Sequence, residues 1–173
     1  MSSFDKAFGV VLGHEGGYVN HPRDPGGETK WGISKRAYPR EDIKNLTVER
    51  AKELYKRDYW DACRCGEMPA SVGLIVFDAA VNCGVSRSTK WLQQSVGAAA
   101  DGFIGPATMA ALQRALASKG WAAVCRDLLV ARLIFNVALP TWKTFGLGWA
   151  RRIISLPFAA ALVEQEGENH GGH

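Results

Sequence analysis

The stretch from Gly16 to Ile33 limits the fold of this chain more than any other, because Gly16, Gly17, Pro22, Pro25, Gly26, Gly27 and Gly32 crowd into it. Proline fixes φ and lacks a backbone donor, and glycine admits positive φ, so such a run cannot continue a helix and turns the chain back. The short polar and aromatic pieces between these residues predict a small irregular hairpin over residues 18–33. Ahead of it, Phe4, Ala7, Phe8, Val11 and Leu12 recur at helical spacing. That pattern predicts one amphipathic helix over residues 4–14, stopped by Gly16 and Gly17.

Everything after the hairpin reads as helix. Thr47 is placed to cap a helix over residues 48–60, with Glu49 in its first turn, where a carboxylate suits the dipole. Pro69 opens a strongly apolar helix that runs to Cys83 and stops at Gly84, and Ser86 caps a third over residues 87–96. Asp101-Gly102-Phe103-Ile104-Gly105-Pro106 forms a turn that launches a helix to residue 118. Another spans residues 121–139 and ends at Pro140; a last one starts near residue 148, is interrupted at Pro157, and frays over 164–173. The pattern is α+β and predominantly α-helical.

The 173 residues support a single domain, and a mean hydropathy of -0.10 with 47% hydrophobic residues excludes a largely disordered chain. A net charge of +4 and a pI near 9.0 favour a polyanionic partner, either nucleic acid or an anionic envelope polymer. The segment 121–139 is apolar but carries Arg126, Asp127 and Arg132, so it reads as a core helix, and no stable membrane insertion is expected. The first residues hold no basic stretch and only a short apolar run over 8–12, which gives the expectation of a protein made in a cytoplasm. Cys63, Cys65, Cys83 and Cys125 lack paired zinc spacing and lie far from the histidines, so free thiols and no bound metal are expected. His170 and His173 in the Gly-rich tail are read as a tail feature rather than a metal site.

Chemistry concentrates between Glu15 and Thr29. Glu15 follows the first helix, where backbone carbonyls make a negative pole that should raise a carboxyl pKa and keep a proton available for donation. Eight residues separate Glu15 from Asp24, and the intervening turn residues could bring Asp24 back to face it, with Thr29 on the return strand. A protonated carboxyl opposite a carboxylate and a hydroxyl is the set needed to break an acetal: one group protonates the leaving oxygen, the others hold and activate a water. By spacing alone, carboxylates beside Gly and Pro turns are more often solvated turn residues than a catalytic pair.

The strings Glu15-Gly16-Gly17-Tyr18-Val19-Asn20 and Asp24-Pro25-Gly26-Gly27-x-Thr29-x-x-Gly32-Ile33 resemble the signature of glycoside hydrolase family 108, the N-acetylmuramidases of phage endolysins and bacterial wall enzymes. The resemblance implies a lysozyme-like fold with the hairpin beside the cleft, and Glu15 as the catalytic acid. The E-x8-D-x4-T spacing is also similar to the Glu, Asp and Thr triad of phage lysozymes, with one residue fewer between Asp and Thr, and so implies Asp24 and Thr29 as the water-handling pair. Asp78-x-x-x-Asn82-x-Gly84, Leu92-Gln93, Asp101-Gly102-x-Ile104-Gly105-Pro106-x-Thr108 and Phe145-x-x-Gly148-Trp149-x-x-Arg152 resemble the peptidoglycan-binding segment typical of this family. The expected organisation is one lysozyme-like domain with a catalytic lobe over 1–66, a helical lobe over 67–165 and a flexible tail over 166–173.

Asp78 and Asn82 share one face of an apolar helix and either hydrogen-bond the hairpin backbone or line the sugar cleft. Tyr18 and Trp31 flank the acid and the turn and are the expected sugar-stacking aromatics; Tyr59 and Trp60 are alternatives that could as well be core. Between Arg114 and Arg152 the bases Arg114, Lys119, Arg126, Arg132, Lys143, Arg151 and Arg152 outnumber the single acid Asp127, which fits an anionic envelope or merely solvated helix faces.

The resulting expectation is an endolysin-type muramidase. It would cleave the β-1,4 bond between N-acetylmuramic acid and N-acetylglucosamine in peptidoglycan glycan strands, as a monomer, without metal or organic cofactor. A lytic transglycosylase acting on the same bond and a non-catalytic wall-binding module are the rival readings. Nucleic acid is set aside as a partner because no recognition motif accompanies the spread-out basic residues. If phage-encoded, such an enzyme depends on a holin to open the membrane between the host cytoplasm and the wall.

Overall fold

A computed structural model describes residues 2–13, 17–20 and 27–168. Helix α1 (Ser3–Leu12) starts at a capping box: the Ser2 hydroxyl accepts from the Asp5 amide while the Asp5 carboxylate accepts from the Ser2 amide. Its buried face is Phe4, Ala7, Phe8 and Val11. The helix stops at Leu12, earlier than the apolar periodicity indicates, because Gly13 turns to φ 62, ψ -153.

The β element is smaller than the segment that builds it. Strands β1 (Thr29–Lys30) and β2 (Ile33–Ser34) pair antiparallel, with Thr29 opposite Ser34 and Lys30 opposite Ile33. The two linking residues, Trp31 and Gly32, have φ of 53 and 74, the pair of positive values that a tight hairpin with right-handed twist requires. Val19 adds a single bridge to Thr29. Gly32 lies hard against the Tyr55 hydroxyl, so a Cβ there would clash, while Ile33 is buried and pins the hairpin to the core.

Helix α2 (Val48–Tyr55) is capped by Thr47, whose hydroxyl accepts from the Arg50 amide at 3.2 Å. It continues through a wider π-helical turn over Lys56–Asp61, and a short 3-10 turn (Cys65–Glu67) leads into α3 (Ala70–Cys83). Helix α3 is buried over its whole length from Ser71 to Ala80, which explains why its sequence is apolar on every side rather than on one stripe. Phe77 meets Phe4, Tyr55 and Trp60 edge-on, with ring centroids 5.9, 6.2 and 5.5 Å away, so α1, α2, the π-turn and α3 share one aromatic cluster.

Helix α4 (Val85–Val96) begins two residues earlier than a Ser86 cap would place it, because Gly84, at φ 89, both ends α3 and starts α4. Helix α5 (Pro106–Val137) carries Pro106 at its first turn and breaks at Gly120, whose φ of 76 divides it where the sequence separates two helices. Helix α6 (Trp142–Glu168) starts earlier than expected and passes through Pro157 without interruption. Ile153, Leu156, Ala160 and Val163 are buried on both sides of the proline, and that packing outweighs the lost backbone bond. Its last described turns are tied down: Glu164 accepts from the Ser71 amide at 2.8 Å, and Glu166 pairs with Lys6 at 2.8 Å.

The fold is lysozyme-like, mainly helical with one small antiparallel hairpin. All four cysteines are free. Among the described residues no helix is long and apolar enough to cross a membrane.

Candidate active site

In the sequence, the end of α1 and the base of the hairpin flank the segment that carries Glu15 and Asp24. Val19 and Thr29 exchange backbone hydrogen bonds of 2.8 Å in both directions, closing a loop whose sequence contains Asp24. Thr29 is half-buried, and among the described residues its hydroxyl donates a long 3.4 Å bond to the Gly27 carbonyl. Glu15 and Asp24, the expected acid and water-handling carboxylate, lie outside the described residues.

Tyr18 is 39% exposed and donates its hydroxyl to Glu28 at 2.8 Å, which fixes the ring beside the hairpin. The Glu28 carboxylate raises the Tyr18 pKa, so the phenol stays protonated. Trp31 packs against the core, and its indole N–H donates to the Leu46 carbonyl at 3.1 Å. Its position in the tight turn and this anchor make it a bolt between the hairpin and the segment before α2. Trp60 is buried within the aromatic cluster.

Asp78 sits inside the protein, between two arginines. It is fully buried, Arg132 Nη1 donates to its Oδ1 at 2.5 Å, and Arg152 donates to its Oδ2 through Nε at 2.8 Å. Both carboxylate oxygens are thus engaged by guanidinium groups. Asn82, one turn on and exposed, donates to the Asp78 carbonyl at 2.8 Å. The same Arg152 donates from Nη2 to the Val11 carbonyl at 3.0 Å, in the last turn of α1. Two guanidinium groups face one carboxylate here, and the surplus positive charge sits where the α1 carbonyls are most negative. This compensates part of the negative pole at the end of α1.

The other signature residues of the second half serve local architecture. Gln93 is fully buried; its amide nitrogen lies 2.6 Å from Asp101 Oδ1 and 3.0 Å from the Phe103 carbonyl, and its oxygen accepts from the Gly102 amide at 2.9 Å. It clamps the turn before α5. The basic stretch is also partly spent: Lys119 and Arg126 pair with Asp127, and Arg132 and Arg152 with Asp78.

A sequence profile described as glycosyl hydrolase 108 matches residues 8–84, a span that contains Glu15, Asp24 and Thr29. A second profile, described as a predicted peptidoglycan domain, matches residues 87–154. The solved structure titled "Structure of Brucella abortus SagA" is similar to this chain at 34% identity, with a TM-score of 0.81, over 94% of this chain and 95% of that one. The chain belongs to glycosyl hydrolase family 108. No curated protein matches it.

As a family 108 member, the protein is a glycoside hydrolase acting on peptidoglycan. Sequence reasoning did not foresee the part played by Arg132 and Arg152. Arg152 was visible within the Gly148-Trp149-x-x-Arg152 string, but nothing in its spacing signalled a bond to the end of α1. Arg132 and Asp78 are 54 residues apart, beyond any local periodicity.

Proposed function

We propose that this family 108 hydrolase is an N-acetylmuramidase. It hydrolyses the β-1,4 bond between N-acetylmuramic acid and N-acetylglucosamine, with Glu15 as proton donor and Asp24 and Thr29 holding and activating the water. The observation that carries this reading is the family match over residues 8–84, which spans all three residues. The Val19 to Thr29 pairing supports it, because it brings the two chain segments on either side of Asp24 in the sequence together at Thr29. In this reading Glu15 protonates the bridging oxygen while a water attacks the anomeric carbon. Tyr18 contributes the exposed aromatic edge of the cleft.

The role of an endolysin released from the host cytoplasm to the wall through a holin-opened membrane rests on the resemblance of the signature alone. The chemistry does not depend on it. Asp24→Asn is expected to lower the rate of clearing of a purified peptidoglycan suspension by roughly a hundredfold or more, a usual general-base contribution, with the circular dichroism spectrum unchanged. A rate within a few-fold of wild type would remove Asp24 from the mechanism.

A further inference from the structure

The ends of α3 and α5, the first turn of α4 and the start of α6 enclose a chamber of about 310 Å³. Asn82, Arg87, Arg132, Phe135, Asn136 and Trp149 form the part of its wall that could recognise a ligand, and the described lining includes no acidic residue. A smaller cavity of about 240 Å³ shares Arg87 and adds Lys90. All but Asn82 of the first six fall within the 87–154 match.

Two of the wall groups, Arg87 and Arg132, have unfilled donor capacity among the described residues. The Arg87 guanidinium lies 4.2 Å above the Phe135 ring, and its one hydrogen bond among the described residues goes to the Cys83 carbonyl at 3.1 Å. No carboxylate among the described residues pairs with it. Arg132 has only 3% of its side chain exposed, yet its buried Nε–H lacks an acceptor, although Nη1 is bound to Asp78. Buried donors are nearly always satisfied, so an open one in a chamber wall calls for an acceptor. Asn82 and Asn136 add amide groups suited to peptide bonds. Trp149, packed at a tilt against Trp142 and Phe145 with centroid distances of 6.2 and 6.0 Å, supplies an apolar surface.

We infer that this chamber binds the carboxylate-bearing stem peptide carried by the muramyl residues of peptidoglycan. A planar guanidinium fork beside amide groups matches a carboxylate on a peptide chain, and the chamber volume fits a segment of a few residues. The chamber is also tied mechanically to the catalytic end of α1, since Asn82 and Arg132 share Asp78 with Arg152, which holds the Val11 carbonyl. A stem peptide seated here would keep the glycan strand in register with the hairpin. The inference rests on the reading of peptidoglycan as substrate and adds to it which part of the polymer is recognised.

The test uses the full chain and separates binding from hydrolysis. Muramyl dipeptide, which has no β-1,4 bond to cleave, and its amidated form without a free carboxylate are titrated into wild type and Arg87→Gln, followed by amide chemical shifts. The expected result is saturable binding of muramyl dipeptide with shifts around Arg87 and Trp149, weakened about tenfold or more either by Arg87→Gln or by amidation. In parallel, hydrolysis is measured on intact peptidoglycan and on glycan strands stripped of stem peptides by an amidase. Arg87→Gln should raise KM on the intact polymer only, while Arg126→Gln, on another surface, behaves as wild type on both substrates. Equal binding of the two probes, equal binding by both proteins, or an equal loss on both substrates would overturn the inference. Absence of hydrolysis by wild type on both polymers, with probe binding preserved, would instead count against the glycosidase reading and leave the chamber assignment standing.

Discussion

Asp78 shows how far single residues can be read from sequence. Its spacing from Asn82 places both on one face of an apolar helix, and that face is what the structure shows; its partners lie 54 and 74 residues away and are set by tertiary packing. With Asp78 and Arg132 both nearly inaccessible, removing the carboxylate leaves a buried guanidinium without its counter-charge. Asp78→Asn is therefore expected to lower unfolding stability by about 3–5 kcal/mol, read from the urea midpoint at constant m value. A loss below about 1 kcal/mol, the scale of an exposed pair, would show that the cluster is not the internal brace described here. Trp31 teaches the reverse lesson: an aromatic beside a candidate site invites a sugar-stacking role, but a positive φ and an indole N–H bonded to Leu46 cannot be read from its neighbours in sequence.

At the scale of elements, the order of helices and the place of the hairpin were legible because glycine, proline and capping residues act locally. Thr47, Pro106, Gly84 and Gly120 all mark boundaries near where the sequence puts them. The failures have physical causes. Helix α1 ends at Leu12 because Gly13 leaves the helical region, and α6 runs through Pro157 because buried residues on both sides hold it. The start of α1 carries a pH dependence. Lys52 and the Ser2 cap hold the Asp5 carboxyl down at about 2, below its ordinary value of 3.8. The folded pKa is depressed, so the stabilisation is fully present above about pH 4 and is lost as pH falls through 2. Melting temperature measured from pH 6 to pH 2 should fall less steeply below pH 4 in Asp5→Asn than in wild type. Parallel acid limbs for the two proteins would mean that the cap and the Lys52 pair do not favour the charged form.

Across the whole molecule, the two matched halves are interlocked rather than strung in sequence. Asp78 belongs to the first, Arg132 and Arg152 to the second, and Arg152 reaches back to the helix that leads to Glu15. The second half thus supports the site-bearing first half besides supplying the arginine-lined chamber. Family membership and the helical architecture could be read from the signature strings, since those residues fix turns; the arginine cluster that binds the halves could not, because it depends on contacts between distant helices. The central claim concerns what happens at one carboxyl group: Glu15 donates the proton that lets water break the glycan. Mass spectrometry of muropeptides released from purified peptidoglycan by wild type and by folded Glu15→Gln tests it most directly. The account predicts reducing N-acetylmuramic acid ends from wild type and no release above background from the variant. Wild-type-like release by Glu15→Gln, or 1,6-anhydro ends from the wild-type protein, would contradict it.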